Sequence, residues 1–418
     1  MMKHLLTAIL GVAAATGAQA QTAEVRVHYA IPTIWAETQA ALEEEFEARN
    51  PGIDIVLDGP AEGYGEGVQR LLRESVAGNL PDVAFVGLNR WRILEARGLT
   101  QPLDPFMSDM DADAEGYTQA LLSLGKFDGT QHALATSAST LVAYLNPDLV
   151  AQAGHDPSSC PQSYNDLINL AADINALGDD IDGIWIDRHD WRFQSLLGAH
   201  GGRPMTTDES DITFDGYAGV AAANLYQAFA TEADMPGYID DQARQAYPSG
   251  NLGIMMDSSS LLTRFTEAAG DRFDVTVCPL PIAANPADVY FPTGGSALVM
   301  LTDDAETQQA AWDYMRFVTG PEGARLVVEN TGYAPTNALV LRDEAYLGDF
   351  YAANANARRA HEQVAAFAGP WYAYPGAEGV AVTDLISEAL WDISSGEAAP
   401  KPRIDQLGST VRTRLDME

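Results

Sequence analysis

The first part of the chain alternates between two periods of hydrophobic positions. Residues 25–29, 53–57 and 83–86 have the alternating or continuous apolar pattern of strands. Residues 36–49 and 68–76 repeat their apolar side chains at helical spacing. This β-α-β-α-β order predicts an α/β fold with a largely parallel sheet and helices on both faces.

In a sheet of this kind, ligands bind beyond the carboxyl ends of the strands. The loops that follow the first three predicted strands are residues 29–35, 59–67 and 87–91. These loops are therefore the first place where a ligand-binding site is expected.

The rest of the chain continues with strands and helices in mixed order. The predicted strands are 141–145, 184–186, 252–256, 275–279 and 297–301, and the predicted helices are 163–177, 218–230, 306–318, 321–329 and 381–391. The length of 418 residues is enough for two domains, yet no long linker and no internal repeat are present. The chain is therefore expected to cross between two lobes more than once.

The charge of the chain excludes several classes of partner. There are 24 Lys and Arg residues against 59 Asp and Glu, which gives a formal net charge of −35. Such an acidic surface repels phosphate backbones and anionic lipids. We therefore expect no nucleic-acid partner and no membrane attachment through a basic patch.

The N-terminus has the pattern of a secretory leader. Lys3 precedes an apolar run at residues 5–15, and Ala18-Gln19-Ala20 fits a small-residue cleavage site. Residues 1–20 are thus predicted to be a cleaved signal peptide; the alternative is a buried N-terminal helix. Residue 21 is Gln rather than Cys, which argues against a lipid anchor and indicates a soluble protein of a Gram-negative periplasm.

Cys160 and Cys278 are the two cysteines of the chain. The periplasm permits a disulfide, but separation in sequence says nothing about separation in space. A bridge and a pair of buried free thiols both remain open. Two cysteines without nearby pairs of histidines do not make a zinc site.

Motifs of catalysis and cofactor binding are absent from the sequence. There is no G-x-G-x-x-G after the first strand, no phosphate loop ending in G-K-S/T, no H-E-x-x-H and no G-x-S-x-G. The sequence therefore predicts no catalytic residues, no cofactor and no metal site, and hence a protein that is not an enzyme.

Aromatic residues are concentrated in predicted loops and strand ends instead. Flat aromatic rings stack on the apolar faces of sugars, and a few polar groups then orient the ligand. As a group they favour a carbohydrate site, although core packing is the alternative for each. They are Trp35, Tyr64, Trp91, Trp185, Trp191, Tyr290, Tyr333, Trp371, Tyr372 and Tyr374.

Short motifs in a fixed order carry a family resemblance. They are Phe46-Glu47-Ala48-Arg49-Asn50-Pro51, Ala77-Gly78-Asn79-Leu80-Pro81-Asp82-Val83, Ser139-Thr140-Leu141-Val142-Ala143-Tyr144-Leu145-Asn146, Ala153-Gly154-His155-Asp156-Pro157, Tyr164-Asn165-Asp166-Leu167, Gly294-Gly295 and Thr331-Gly332-Tyr333-Ala334-Pro335-Thr336. With them the chain resembles the periplasmic extracellular solute-binding proteins of ABC transporters, in the branch that takes up sugars and glycerol derivatives.

The resemblance implies a two-lobed periplasmic-binding-protein fold with a hinged cleft. Lobe 1 is expected to comprise residues 21–135 and 290–340, and lobe 2 residues 136–289 and 341–418. The implied function is to capture a sugar, glycoside or glycerol conjugate in the cleft, as a monomer, and to deliver it to the transmembrane subunits of an ABC permease. Binding of sn-glycerol 3-phosphate or a glycerophosphodiester is the alternative.

The resemblance also implies ligand contacts, position by position. They are Tyr64, Ser139, Trp191, Ser258, Gly295 and Tyr333. Tyr and Ser hydroxyls both donate and accept hydrogen bonds, and Gly lets backbone N–H groups come close to a ligand. Tyr372, one of the aromatic residues named above, is predicted as a further ligand contact.

Two positions depart from the glycerol-phosphate pattern. Leu88, followed by Asn89 and Arg90, stands where that branch has a Glu, and Val380 stands where it has a phosphate-contacting Arg. Without this guanidinium, much of the hydrogen bonding to a phosphate is lost. The sequence therefore favours a neutral or weakly anionic glycoside as the ligand. Other arginines could substitute, namely Arg90, Arg188 and Arg264.

Two other functions stay open on the sequence. An exported glycoside hydrolase or lyase would use paired carboxylates, and acidic residues are too abundant here for any pair to be informative. A receptor that passes its loaded form to a chemosensor is compatible with transport.

Overall fold

Residues 23–375 and 379–417 are described by a computed structural model of the chain; the predicted leader, residues 1–20, lies outside them. The strands are β1 (Ala23–His28), β2 (Ile53–Leu57), β3 (Val83–Gly87), β4 (Lys126–Phe127), β5 (Thr130–Gln131), β6 (Ala133–Ser139), β7 (Leu141–Leu145), β8 (Asp182–Ile186), β9 (Leu252–Ser258), β10 (Thr276–Cys278), β11 (Phe291–Met300) and β12 (Ala368–Pro370).

The helices lie mostly between and after these strands. They are α1 (Pro32–Arg49), α2 (Tyr64–Ala77), α3 (Trp91–Glu95), α4 (Asp104–Met107), α5 (Gln119–Ser123), α6 (Pro147–Gln152), α7 (Tyr164–Asn175), α8 (Asp190–Ala199), α9 (Tyr217–Glu232), α10 (Asp240–Ser249), α11 (Leu262–Ala269), α12 (Ala305–Thr319), α13 (Pro321–Asn330), α14 (Ala338–Arg342), α15 (Glu344–Ala353), α16 (Ala355–Phe367), α17 (Gly379–Ser394) and α18 (Pro400–Arg414).

The first sheet has the order β12-β11-β3-β1-β2, and β6 also pairs with β11. β1 pairs in parallel with β2 and with β3, as the β-α-β-α-β pattern predicts. β11 runs antiparallel to both β3 and β6. The prediction of a largely parallel sheet therefore holds for β1 to β3 and for the parallel pair of β11 and β12. The two exceptions are the antiparallel pairs of β11 with β3 and β6, because β11 arrives from the other sheet and runs in the opposite direction.

The second sheet has the order β10-β7-β9-β8. β7 lies antiparallel to both β10 and β9, and β9 lies parallel to β8. Each sheet with its own helices forms one lobe of the molecule: the first lobe is built on the first sheet, and the second lobe on the second.

The pleat of the first sheet divides its side chains between two cores. Val25, Phe85 and Leu298 face the core that includes residues of α1 and α12. Their neighbours Val86 and Val299 face the opposite core, with residues of α2 and α3. This alternation is the period-two pattern of the sequence, and both faces are buried because helices cover them.

The chain crosses between the sheets several times, as expected from the missing linker. β6 ends at Ser139 and β7 begins at Leu141, so only Thr140 separates strands of the two sheets. β11 returns to the first sheet: Phe291 at its start lies in the core of the second lobe, and Leu298 lies in the first. After β12 the chain enters the second lobe again at α17, where Val382 is buried.

Cys160 and Cys278 form a disulfide, with 5.4 Å between their Cα atoms. The bridge ties the loop before α7 to β10, the edge strand that precedes the return to the first sheet. Of the two possibilities that the sequence left open, the structure has the bridge.

Several elements have no clear pattern in the sequence. β6 reads Ala-Leu-Ala-Thr-Ser-Ala-Ser, and its small residues are all buried although few are strongly apolar. The helices between Ala338 and Phe367, and α8, α10 and α18, were also not predicted. α1 begins at Pro32, four residues before the predicted start, because Pro is favoured in the first turn of a helix.

Candidate ligand-binding cleft

Small residues lie where the crossing strands meet. Gly294 pairs with Ser139, and Gly295 pairs with Ala138. Gly295 has φ of +124°, and a Cβ on it would lie 2.1 Å from the carbonyl oxygen of Ser137, so only glycine fits. Both glycines are half-buried, which leaves their backbone within reach of a ligand between the lobes.

An aromatic group of the first lobe lies next to these glycines. Trp35 Nε1 donates a hydrogen bond of 3.0 Å to Tyr64 Oη, and the rings of Trp35 and Tyr333 stack with centroids 6.1 Å apart. The Tyr64 ring would be 3.2 Å from a Cβ at Gly87, at the end of β3. Burial raises the pKa of Tyr64 and of Tyr333 above the usual tyrosine value, so both phenols are neutral hydrogen-bonding groups.

Hydroxyl groups continue this cluster into the second lobe. The Ser260 side chain lies close to the Tyr333 hydroxyl and lowers its pKa, against the larger effect of burial. Ser260 Oγ lies 2.9 Å from Ser258 Oγ at the end of β9. A Cβ at Gly332 would lie 2.2 Å from the Ser260 carbonyl oxygen. The two lobes therefore approach each other through backbone and hydroxyl groups, which can also hydrogen-bond a polar ligand.

Two tryptophans of the second lobe form the opposite wall. Trp191 Nε1 donates to the Pro292 carbonyl oxygen at 3.0 Å, which holds the indole against β11. The ring of Trp371 lies 6.3 Å from that of Trp191, and its Nε1 donates to Asp190 Oδ2 at 3.2 Å. Trp191 is nearly buried, whereas Trp371 is half-buried.

Asp190 organises the segment that carries Trp371. Its carboxylate accepts from Gln194 Nε2 as well, and Gln194 exchanges two hydrogen bonds with the backbone of Tyr372. Burial raises the pKa of Asp190 to about 6, although these hydrogen bonds lower it. The segment 371–372 is thus held on α8 by side-chain hydrogen bonds rather than by regular secondary structure.

Two adjoining cavities lie between the lobes, and their linings do not include the residues described above at the crossing strands. One measures about 840 Å³ and lies between α3 and residues 371–375. The other measures about 560 Å³ and extends to the loop at residues 207–209. Asn89, Arg92 and Tyr372 line both.

An ion pair crosses the cleft at the boundary of these cavities. Arg92 Nη1 lies 3.0 Å from Glu209 Oε1, and each side chain is about one-third exposed, at 33% and 30%. The Arg92 guanidinium also stacks on Phe127 at 4.2 Å. Glu209 has φ of +57°, which is uncommon for a residue other than glycine.

The structure brings nine of the ten predicted site residues to this cleft. Six lie around the crossing strands: Tyr64, Ser139, Trp191, Ser258, Gly295 and Tyr333. Three line the cavities further out: Asn89, Arg90 and Tyr372. Whether they bind a ligand remains a prediction.

Arg188 is not part of this group. Its side chain is 3% exposed, and its guanidinium donates to the carbonyl oxygens of Pro236 and Tyr238 and stacks on Trp391 at 4.5 Å. Burial lowers its pKa. Arg188 packs the start of α8 against neighbouring elements, so it is not retained as a candidate contact.

The two other positions considered for a phosphate contact add nothing to the cleft. Arg264 is an exposed residue of α11 and lines neither cavity. The side chain of Val380 lies outside the part of the chain that the structure describes.

Several residues of the cleft were not among the predicted contacts. They are Trp35, Arg92, Asp190, Gln194, Glu209 and Trp371. Trp35 and Trp371 belong to the aromatic group that the sequence shows, so a signal existed for both. No sequence signal indicated Arg92 or Glu209, because the two paired residues are 117 positions apart in the sequence.

Within residues 23–375 and 379–417, no group of three or more His, Cys, Asp and Glu side chains could hold a metal ion. Within the same ranges no helix is long and apolar enough to cross a membrane.

Known proteins share both sequence and architecture with this chain. A binding protein of Brucella abortus (strain 2308) is 27% identical over 403 residues, 92% of each chain. The structure matches a cyclic alpha-maltosyl-1,6-maltose binding protein from Arthrobacter globiformis with a TM-score of 0.82 at 21% identity, covering 94% of this chain and 99% of that one. UgpB from Mycobacterium tuberculosis, in complex with glycerophosphocholine, matches with a TM-score of 0.79 at 23% identity, with the same coverage.

These matches confirm the two-lobed α/β fold. The model of a protein family, described as bacterial extracellular solute-binding protein, matches residues 41–358, which is most of the chain. The chain therefore belongs to the bacterial extracellular solute-binding protein family.

Proposed function

We propose that the protein is the periplasmic substrate-binding component of an ABC importer. It captures a sugar, glycoside or glycerol conjugate in the cleft between its lobes and delivers it to the membrane permease. Family membership supports solute binding outside the cytoplasm. The leader-like residues 1–20, followed by Gln21, support export to the periplasm without a lipid anchor.

One observation carries the proposal: hydrogen-bonding groups from both lobes converge between aromatic rings. Tyr64 and Tyr333 approach from the first lobe, and Ser258 approaches from the second, beside the half-buried backbone of Gly294–Gly295. A polyhydroxylated molecule presents hydroxyls to such groups and C–H faces to rings. Similar proteins whose names state sugar or glycerophosphocholine binding support the same ligand class.

Closure of the lobes couples binding to transport. Because β6 to Ser139 and β12 (Ala368–Pro370) pair in the first sheet, lobe 1 takes these residues in addition to 21–135 and 290–340, and lobe 2 keeps the rest of 136–289 and 341–418, in a monomer. A ligand that contacts both lobes shifts the hinge equilibrium by its extra affinity for the closed form. Micromolar affinity corresponds to about −8 kcal/mol, which a few hydrogen bonds and stacked rings can provide.

Tryptophan fluorescence, titrated with sugars, glycosides, polyols and glycerophosphodiesters, tests this function. We expect a saturable change with at least one compound, because Trp35, Trp191 and Trp371 lie at the cleft. Tyr333→Phe removes one hydroxyl and should weaken binding about three- to tenfold. Tyr217→Phe, on an exposed residue of α9, is the control and should bind normally. The absence of any saturable change across the panel would refute the proposal.

The protein is proposed to bind its ligand without converting it. Mass spectrometry of the ligand after prolonged incubation with the protein separates this from an exported hydrolase or lyase. Recovery of the unaltered compound is expected. Time-dependent appearance of shorter or unsaturated sugars would indicate an enzyme instead.

A further inference from the structure

Two arginines beside the cleft, Arg90 and Arg97, lack an acidic partner among the described residues. Arg90 and Arg97 make no ion pair with any residue of the described part of the chain, although 59 Asp and Glu accompany only 24 Lys and Arg. Most other arginines near the cleft are paired, as Arg92 is with Glu209 and Arg192 is with Asp257. Other described arginines, among them Arg73 and Arg188, also form no ion pair, so it is the position of Arg90 and Arg97 at the cleft that calls for an explanation.

Both unpaired arginines line the same cavity. Arg90, Arg92 and Arg97 contribute to the first-lobe wall of the 840 Å³ space between α3 and residues 371–375. Arg90 is half-buried and Arg97 is exposed. Because Arg92 is paired with Glu209, Arg90 and Arg97 carry the unpaired positive charge of this concave wall.

The carboxylates at this cavity do not cancel that potential. Asp190 is fully buried, and its oxygens accept hydrogen bonds from Trp371 and Gln194. Glu95, on the same wall as the arginines, forms no ion pair with them among the described residues; its one negative charge offsets one of the two unpaired arginines and leaves the wall with a net positive charge. The positive groups thus face the cavity while the nearest acidic group of the second lobe is already engaged.

The opposite wall can hold the uncharged part of a ligand. Trp371, Tyr372 and Tyr374 line it, and Tyr374 Oη is buried without a hydrogen-bond partner in the described part of the chain. A buried hydroxyl of this kind carries a desolvation cost that a ligand acceptor would remove. The cavity therefore combines an arginine wall with an aromatic wall.

We propose that this cavity binds an anionic group carried by a polyhydroxylated ligand, with Arg90 and Arg97 as its contacts. The inference rests on the proposed function and narrows its ligand class to acidic glycosides or acidic glycerol conjugates. Arg forms paired hydrogen bonds with both carboxylates and phosphates. The anion is thus the carboxylate of a uronic acid or the phosphate of a glycerophosphodiester.

Isothermal titration of the mature protein with matched compounds tests the proposal. One arm compares trigalacturonate with its neutral trimethyl ester, and a second compares glycerophosphoglycerol with the neutral polyol diglycerol; maltotriose is the neutral sugar. We expect an anionic compound to bind at least tenfold more tightly than its neutral counterpart, with an affinity that falls as NaCl increases. The arm that binds identifies the source of the anion.

Charge-removing variants assign the effect to the arginines. In the double variant Arg90→Gln and Arg97→Gln, the preference for the anion should fall to about twofold or less. Arg73→Gln removes an exposed arginine of α2 that makes no ion pair among the described residues and lies outside the cavity; it should keep the preference. Circular dichroism confirms that the variants are folded.

The outcomes separate this inference from the proposed function. Saturable binding of maltotriose, diglycerol or the methyl ester at an affinity equal to that of the anions overturns the inference and leaves solute binding intact. An anion preference that survives the double variant also overturns it. No binding of any compound in the panel counts against the proposed function and removes the inference with it.

Discussion

The ion pair between Arg92 and Glu209 should slow the release of ligand. These residues belong to different lobes and meet 3.0 Å apart at the boundary of the two cavities. Because its two residues lie on different lobes, the pair needs the lobes to be close together, and we expect it to stabilise the closed form. Glu209→Gln is the matched perturbation, since it keeps size and hydrogen bonding but removes the charge.

The expected magnitude follows from the exposure of the pair. Both side chains are about one-third exposed, and pairs of this kind contribute about 0.2–1 kcal/mol because water screens them. Phe127 holds the Arg92 guanidinium in place at 4.2 Å, which lowers the entropy cost of pairing. We therefore expect about 1 kcal/mol, a factor of about five in the closing equilibrium.

Stopped-flow fluorescence of ligand dissociation measures this factor, with a compound identified by titration. Glu209→Gln and Arg92→Gln should each raise the dissociation rate about fivefold, and the double variant should release ligand no faster than either. The wild-type rate should rise in 1 M NaCl, and the rate of each variant should not. Arg316→Gln breaks a pair with Glu115 that lies within the first lobe, and it should leave the rate unchanged.

The double-mutant cycle decides whether this reasoning is correct. If the effects of the two substitutions add, so that their coupling is near zero, the pair does not stabilise the closed form. A dissociation rate that is independent of salt in the wild type would lead to the same conclusion.

Three further predictions concern stability. Gly295→Ala should lower the free energy of unfolding, measured in urea, by about 3 kcal/mol, because φ of Gly295 is +124° and a Cβ would clash. Gly65 has open space around it, so the control Gly65→Ala should change the free energy of unfolding by less than about 1 kcal/mol. Equal effects of the two substitutions would contradict the role given to Gly295. The pKa of Asp190 is raised to about 6, so the folded form binds more protons than the unfolded form between about pH 4 and 6, and stability should fall by up to about 3 kcal/mol as pH rises through that range. Asp190→Asn should reduce this dependence of the unfolding free energy on pH, measured by urea titrations at several pH values. An unchanged dependence would show that other groups cause it. Replacing Cys160 and Cys278 by Ser opens a bridge that spans 118 positions, and it should cost about 4 kcal/mol; a urea midpoint unaffected by dithiothreitol would show that the bridge is dispensable.

The part of the cleft near the crossing strands could be predicted because its residues follow regular elements. Tyr64 begins α2 directly after the loop that follows β2, and Ser258 ends β9. Hydrophobic periodicity locates those strand ends, and the ordered motifs identify the residues there. Gly295 was expected there because glycine lets backbone N–H groups come close to a ligand, and the structure adds that its φ of +124° and the nearby Ser137 carbonyl oxygen leave no room for a Cβ.

The outer part of the cleft could not be predicted in the same way. Arg92 and Glu209 are a charged pair among many possible pairs in an acidic chain, and only the approach of two lobes selects them. Arg188 shows the converse, because an arginine expected at an anion is buried against carbonyl oxygens of Pro236 and Tyr238. Charge identifies a residue type that can bind an anion, whereas tertiary packing decides whether its guanidinium faces the ligand.

The inner part of the cleft, beside the crossing strands, and its outer part lie at different distances from the hinge, and we expect them to contribute differently to ligand binding. If the lobes rotate about the crossing strands, groups beside those strands, such as Tyr333 and Ser258, are displaced least and can hold a ligand in the open and the closed form alike. Groups at the outer cavities, such as Arg92 and Glu209, are then displaced most and should meet on closure. Since only differential affinity shifts a conformational equilibrium, Tyr333→Phe should weaken ligand capture at equilibrium, whereas Glu209→Gln should act mainly on the dissociation rate. An equal effect of both substitutions on dissociation would mean that the crossing strands themselves rearrange as the cleft closes.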